Sequence, residues 1–130
     1  MAQKIRYIPP ERNTGCCEYK LKLVYEDAEL RARKISHIAT QMNYRLYQGK
    51  GKAIFIIGVS DDGDVEGITK EELDISLTFM DEVAEVIQAT IYKRRIYEGK
   101  SGFIATLRVS KDMSKRWDED NEMEEEFQFL

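Results

Sequence analysis

The longest apolar stretch in the chain runs from Ala53 to Val59, seven residues with Gly51 just before them and Gly58 near their end. Ile54, Ile56, Ile57 and Val59 are β-branched, and a branch at Cβ suits the pleated surface of a sheet better than a helix. A short unbroken run of this kind predicts an interior strand. Everything else has to pack around it, and with 130 residues there is room for one domain with a real core but not two.

The flanking patterns supply the other elements. Glu18 to Val24 alternates, with Tyr19, Leu21 and Leu23 on one side and Glu18, Lys20 and Lys22 on the other, which predicts a half-buried strand with a solvated charged face. From Glu26 to Gln48 the period becomes helical: Ile35, Ile38, Ala39, Met42 and Leu46 make one apolar stripe, and Gly49 and Gly51 end it. Asp61-Asp62-Gly63-Asp64 has the chemistry of a tight hairpin turn, which predicts a short returning strand over Val65 to Ile68. Thr69 followed by Glu72 is a capping box, and Leu73, Leu77, Met80, Ala84 and Ile87 give the helix behind it a buried stripe. Thr90 to Tyr97 and Phe103 to Ser110 read as two closing strands joined by Glu98-Gly99-Lys100-Ser101-Gly102.

The expected order is β-α-β-β-α-β-β. One mixed sheet with two helices on one face, an α+β two-layer sandwich, is the economical way to bury both stripes. Residues 1–17, with Pro9, Pro10, Asn13 and Gly15, read as an extended arm, residues 18–111 as the domain, and residues 112–130 as an acidic tail or linker.

Charge is divided unevenly. All 20 Lys and Arg lie at or before Arg116, while seven of the 24 acidic residues follow it, so a mildly basic body carries an acidic tail. Such a body can face a polyanion. No apolar run approaches membrane-span length, and no apolar stretch follows Lys4 and Arg6, so neither a membrane nor a secretory signal is expected. The only cysteines, Cys16 and Cys17, are adjacent and rarely bridge in that arrangement. They suggest a reduced, cytoplasmic setting, and with His37 alone they cannot build an ordinary zinc site.

Three separated blocks carry a resemblance. They are Pro9-Pro10-Glu11 with Glu18-Tyr19-Lys20-Leu21-Lys22-Leu23-Val24; Thr40-Gln41-Met42-Asn43-Tyr44-Arg45-Leu46 with Gly49 and Gly51; and Ile57-Gly58-Val59-Ser60-Asp61-Asp62-Gly63 with Gly67, Glu71-Glu72 and Ser76-Leu77. In order and spacing this resembles the N-terminal domain of the GTP-binding protein 1 and 2 family, translational GTPases related to elongation factor 1-alpha. The resemblance covers roughly residues 9–110, and Gln128-Phe129-Leu130 looks like the segment leading to the family's G domain. It implies an accessory module in translation or RNA turnover whose partners are RNA (tRNA, rRNA or mRNA), the ribosome, or a translational GTPase G domain, with no cofactor and no DNA specificity. A P-loop would need glycine five residues before Gly99-Lys100-Ser101, where Arg94 stands, and a helix behind it, where a strand is expected. The family's GTPase activity is therefore not carried over to these residues.

Two sets of candidate site residues follow. Arg31, Lys34, Arg45, Lys50 and Lys52 near the first helix, and Lys93, Arg94 and Arg95 near the closing strands, are candidate phosphate contacts. Arg33, Arg108, Lys111, Lys115 and Arg116 lie in the same groups, and Tyr44, Tyr47, Tyr92 and Tyr97 are interleaved with them as surfaces for unpaired bases. The alternative rests on a second resemblance. The Gly-Val-Ser-Asp-Asp-Gly block, Gly58 to Gly63, is also similar to the Schlafen core and its Alba-like relatives. This implies a metal-dependent endoribonuclease acting on tRNA or rRNA, with Glu18, Lys20 and Asp61 catalytic and Glu18, Asp61 and Asp62 holding Mg²⁺ or Mn²⁺. That enzyme type uses a second upstream glutamate, and Glu11 is the nearest. The bland reading is that the aspartates make a turn and that Glu18 and Lys20 are solvated.

Overall fold

The computed structural model describes residues 3–113. The expected tail beyond residue 113, with Lys115, Arg116 and Trp117, lies outside the described residues. The elements are β1 (Gln3–Lys4), β2 (Cys17–Lys20), α1 (Ala28–Gln48), β3 (Lys52–Ile57), α2 (Lys70–Val86), β4 (Thr90–Glu98) and β5 (Phe103–Ser110). The strands make one mixed sheet in the order β1-β4-β5-β3-β2. β2 and β3 are parallel neighbours connected through α1, and β3-β5-β4 is antiparallel. The fold is α+β, two helices on a five-stranded sheet, as the sequence patterns require.

β3 lies inside the sheet because its alternating residues are buried on both sides. Ala53, Phe55 and Ile57 face the helices, where they meet Ile38, Ala39, Met42 and Leu46 of α1 and Leu73, Phe79, Met80, Val83 and Ala84 of α2. Leu107 stands opposite Phe55 and Ala105 opposite Ile57, which places Ala105, Leu107 and Val109 in the same core. Burying a Phe or Leu side chain is worth about 1.5–3 kcal/mol, so this cluster is the main source of stability. Asp27 caps α1 by accepting from the Leu30 amide, and Thr69 and Glu72 exchange both bonds of the capping box that starts α2.

Three local expectations change. First, residues 3–16 are extended but not detached. β1 pairs with Tyr97 and Glu98 of β4, and Ile5 and Ile8 pack on Tyr19, Ile56, Val59, Val65 and Ile104, a second core on the sheet face away from the helices. Second, Val65 to Ile68 is not a strand. Its carbonyls at Val65 and Glu66 accept from the amides of Lys100, Ser101 and Gly102, and only Ile68 forms a bridge, to Phe103. The segment closes over the β4–β5 loop instead of extending the sheet. Third, β2 stops at Lys20, whose carbonyl accepts from the Gly58 amide. Leu21 then points outward at 46% exposure, and Leu23 turns into the core, its amide held by Ser76 Oγ at 2.9 Å.

Candidate nucleic-acid interface

The sequence-expected residues separate into three places. The first is a buried polar knot under the N-terminal segment. Arg45 is 3% exposed and Glu18 5%. Arg45 Nε donates to Glu18 Oε1 at 2.8 Å, one terminal nitrogen donates to the Gly15 carbonyl at 3.0 Å, and the other to the Arg12 carbonyl at 2.8 Å. Lys20 Nζ approaches the second Glu18 oxygen at 3.4 Å. Glu11 accepts from the Tyr19 amide and lies 4.0 Å from Arg45, and the Tyr19 hydroxyl donates to the Pro9 carbonyl.

This geometry corrects two expectations. Glu18 does not lie on a solvated strand face, because β2 turns it toward α1, where Arg45 neutralises it. Arg45 does not face a phosphate, because its guanidinium is consumed by one carboxylate and two carbonyls. Both act in holding residues 11–15 to the domain. Burial, with Glu18 and Asp61 nearby, pushes the Glu11 carboxyl above its ordinary value against the opposing Tyr19 amide and Arg45. Burial likewise pushes the Cys17 thiol up to about 11, so it is a neutral packing group at pH 7 and not a nucleophile.

Asp61 and Asp62 lie on the exposed turn beyond β3, beside a shallow groove shared with Tyr19, Lys20, Leu21 and Ser60. The Ser60 hydroxyl and the Asp64 amide both donate to Asp62, and the first of these holds its carboxyl below the usual range. Among the described residues, no group of three or more His, Cys, Asp or Glu side chains is arranged to hold a metal ion.

The second place is the helix layer. Arg31 forms a two-point ion pair with Glu82 of α2 and lies over the Phe79 ring. Lys34 sits against Tyr25, and Arg94, on the helix side of β4, pairs with Asp81. These cations stitch helices and sheet together.

The third place is the open part of the sheet face away from the helices, beyond the second core that Ile5 and Ile8 cover. β5 alternates so that Leu107 and Val109 enter the core and Arg108 points the other way. In the register, Lys93 stands opposite Arg108, Arg95 opposite Thr106, and Lys52 opposite Ser110. A bulge between Ile91 and Lys93 puts Lys93 and Arg95 on this face while Arg94 stays on the other. Lys52, Lys93, Arg95 and Arg108 are all exposed. Tyr92, 48% exposed, lies beside them with Lys52 Nζ 4.6 Å from its ring centre. Lys50 is exposed in the turn before β3. Among the described residues no ion pair is formed by Lys52, Lys93, Arg95 or Arg108. The structure thus brings together Lys52, Lys93, Arg95 and Arg108. Of the interleaved tyrosines, Tyr44 donates to the Asn13 carbonyl, Tyr47 belongs to the last turn of α1 and Tyr97 packs in the second core, while Tyr92 lies on this surface.

Comparison with known proteins finds similar sequences. The chain is 41% identical over 85 residues to GTP-binding protein 2 of mouse and to that of human. It is related to the GTP-binding protein 1/2 family. The matched segment is 65% of this chain but 14% of those proteins, so the chain spans a small part of their length. It is also 34% identical over 85 residues to an uncharacterized protein, R625, of Acanthamoeba polyphaga mimivirus, of which it covers 44%. No family model and no solved structure matches. Against this GTP-binding relationship, Gly99-Lys100-Ser101 has a local answer. The amides of residues 99–102 are already bonded, to the carbonyls of Gly102, Val65 and Glu66, and the loop leads into β5. It has no row of free amides to wrap a phosphate.

No helix among the described residues is long and apolar enough to cross a membrane.

Proposed function

We propose that this chain is an accessory RNA-binding module, related to a segment of GTP-binding protein 1/2 proteins and working in the cytoplasm in translation or RNA turnover. It holds the phosphate backbone of an unpaired RNA strand on the open sheet face through Lys52, Lys93, Arg95 and Arg108. The observation that carries this reading is the cross-strand pair Lys93–Arg108, two like charges directly opposite with Arg95 and Lys52 beside them and no carboxylate partner among the described residues. Like charges in that position destabilise a strand pair. A polyanion on the same face reverses the sign. Tyr92 gives the strip an aromatic edge on which one base can stack.

The metal-dependent ribonuclease reading has no comparable support. It needs Glu18 free to take a cation, and that carboxylate is buried between Arg45 and Lys20. Nor does any residue described above take on a GTP-binding role.

The test is salt. Neutralising four phosphates of a single strand gives a slope of log K against log salt of about −3, and a loss of about fifty-fold between ~50 and ~200 mM. Fluorescence anisotropy with a labelled unpaired oligoribonucleotide and with tRNA should show this slope. A salt-independent affinity, or no binding at low salt, overturns the proposal.

A further inference from the structure

We infer that the acidic segment at residues 118–126 of this chain competes for the open basic face, so that RNA binding is opposed by the chain's own carboxylates. The consequence for RNA rests on the reading above, while the docking itself rests on charge and position. Asp118, Glu119, Asp120, Glu122, Glu124, Glu125 and Glu126 supply seven negative charges, and no Lys or Arg follows Arg116. The face they would meet holds Lys52, Lys93, Arg95 and Arg108, exposed and without an ion-pair partner among the described residues.

Position favours the encounter. Ser110, the last residue of β5, lies between Lys52 of β3 and Thr90 of β4, at the basic end of the face. The chain continues along that end, with the Lys111 amide donating to the Gly51 carbonyl at 3.0 Å. Arg95 stands opposite Thr106, four residues back along β5, or about 14 Å of strand. Residues 114–117 span at most about 14 Å when extended, and residues 118–126 add roughly twice that. The first carboxylates therefore reach the whole strip. Tethering over so few residues gives an effective concentration of about a millimolar, and attraction between exposed charges at these distances is screened by salt. Apolar docking is not required: the recognition is that of a polycarboxylate by a row of cations.

Two readouts separate this inference from the RNA reading. Residues 3–113 contain the whole sheet and both cores, so a chain ending at Trp117 keeps the interface. Anisotropy at ~50 and ~300 mM salt should show this truncated chain binding an unpaired oligoribonucleotide about tenfold tighter than the full chain at low salt, with the gap closing at high salt. A full-length variant with the seven acids changed to Asn or Gln should match the truncation. Independently, a synthetic peptide of residues 118–130 added to the truncated chain should shift the NMR amide signals of Lys93, Arg95 and Arg108, and the shifts should weaken in Arg95→Gln. If neither form binds RNA but the peptide shifts these signals, docking stands and the RNA reading fails. If both forms bind RNA equally at low salt and the peptide leaves the open face unchanged, docking is overturned and the RNA reading stands.

Discussion

Replacing Arg45 by Met should be the most damaging single change outside the apolar core. The guanidinium is 3% exposed and serves Glu18, Gly15 and Arg12 together. Its loss strands a buried carboxylate whose remaining cation, Lys20, lies at 3.4 Å, and frees two carbonyls that fix the N-terminal segment. Breaking a buried pair by removing one partner costs about 3–5 kcal/mol, a large share of the ~5–15 kcal/mol that holds a domain together. With a urea dependence of about 2 kcal/mol per molar, the midpoint should fall by about 2 M. Arg45→Lys should recover little, because an ammonium cannot reproduce the planar fork that reaches all three acceptors. The double variant Glu18→Gln with Arg45→Met should be more stable than Arg45→Met alone, since no charge is then left buried. Urea titrations followed by circular dichroism decide it. An Arg45→Met loss below about 1 kcal/mol, or a double variant no better than the single one, would refute the knot as described.

Two further perturbations test the frame. Glu11 is held above its ordinary carboxylate value mainly by burial, so the folded state binds its proton more tightly. Its favourable contribution is full below the ordinary value and is lost as pH rises through the raised one; wild type should therefore lose stability relative to Glu11→Gln between mildly acidic and neutral pH, and a constant difference would contradict this. Gly58 has φ of +98°, and a Cβ there would sit 2.6 Å from the Phe103 carbonyl oxygen; Gly58→Ala should cost more than about 1 kcal/mol and lower the melting temperature by at least ~4 °C, whereas an unchanged melt would show that the β3–β5 approach relaxes freely.

What the sequence reveals and hides follows from how local each signal is. The capping box at Thr69 and Glu72, the stripes of α1 and α2 and the interior strand in the run Ala53 to Val59 depend on neighbours within one or two turns, and all are present, the strand ending at Ile57. Val65 to Ile68 failed because its backbone partners, the amides of Lys100 to Gly102, lie more than thirty residues away. Glu18 and Arg45 are likewise 27 residues apart, and nothing in an alternating strand tells a solvated carboxylate from one facing a buried guanidinium. Residues 3–8 contribute only Ile5 and Ile8 to the second core, too few to make a period. For the basic strip, the alternation of Lys93, Arg94 and Arg95 separates the middle residue from the other two. Only the register with β5 shows that Arg108 completes the strip and that Arg94 turns to Asp81.

That last pair offers the most direct test of the central claim. Arg94→Gln and Arg95→Gln remove the same charge from adjacent positions of one strand, so any effect of net charge alone is equal in both. Arg95 lies on the open face and Arg94 on the helix face. Losing one phosphate contact should lower the magnitude of the salt slope by about 1. Measured by anisotropy with the same unpaired oligoribonucleotide across a salt series, Arg95→Gln should show the weaker affinity and the shallower slope, and Arg94→Gln should match wild type. Equal losses in the two variants, or a larger loss at Arg94, would contradict an RNA site on the open face of the sheet.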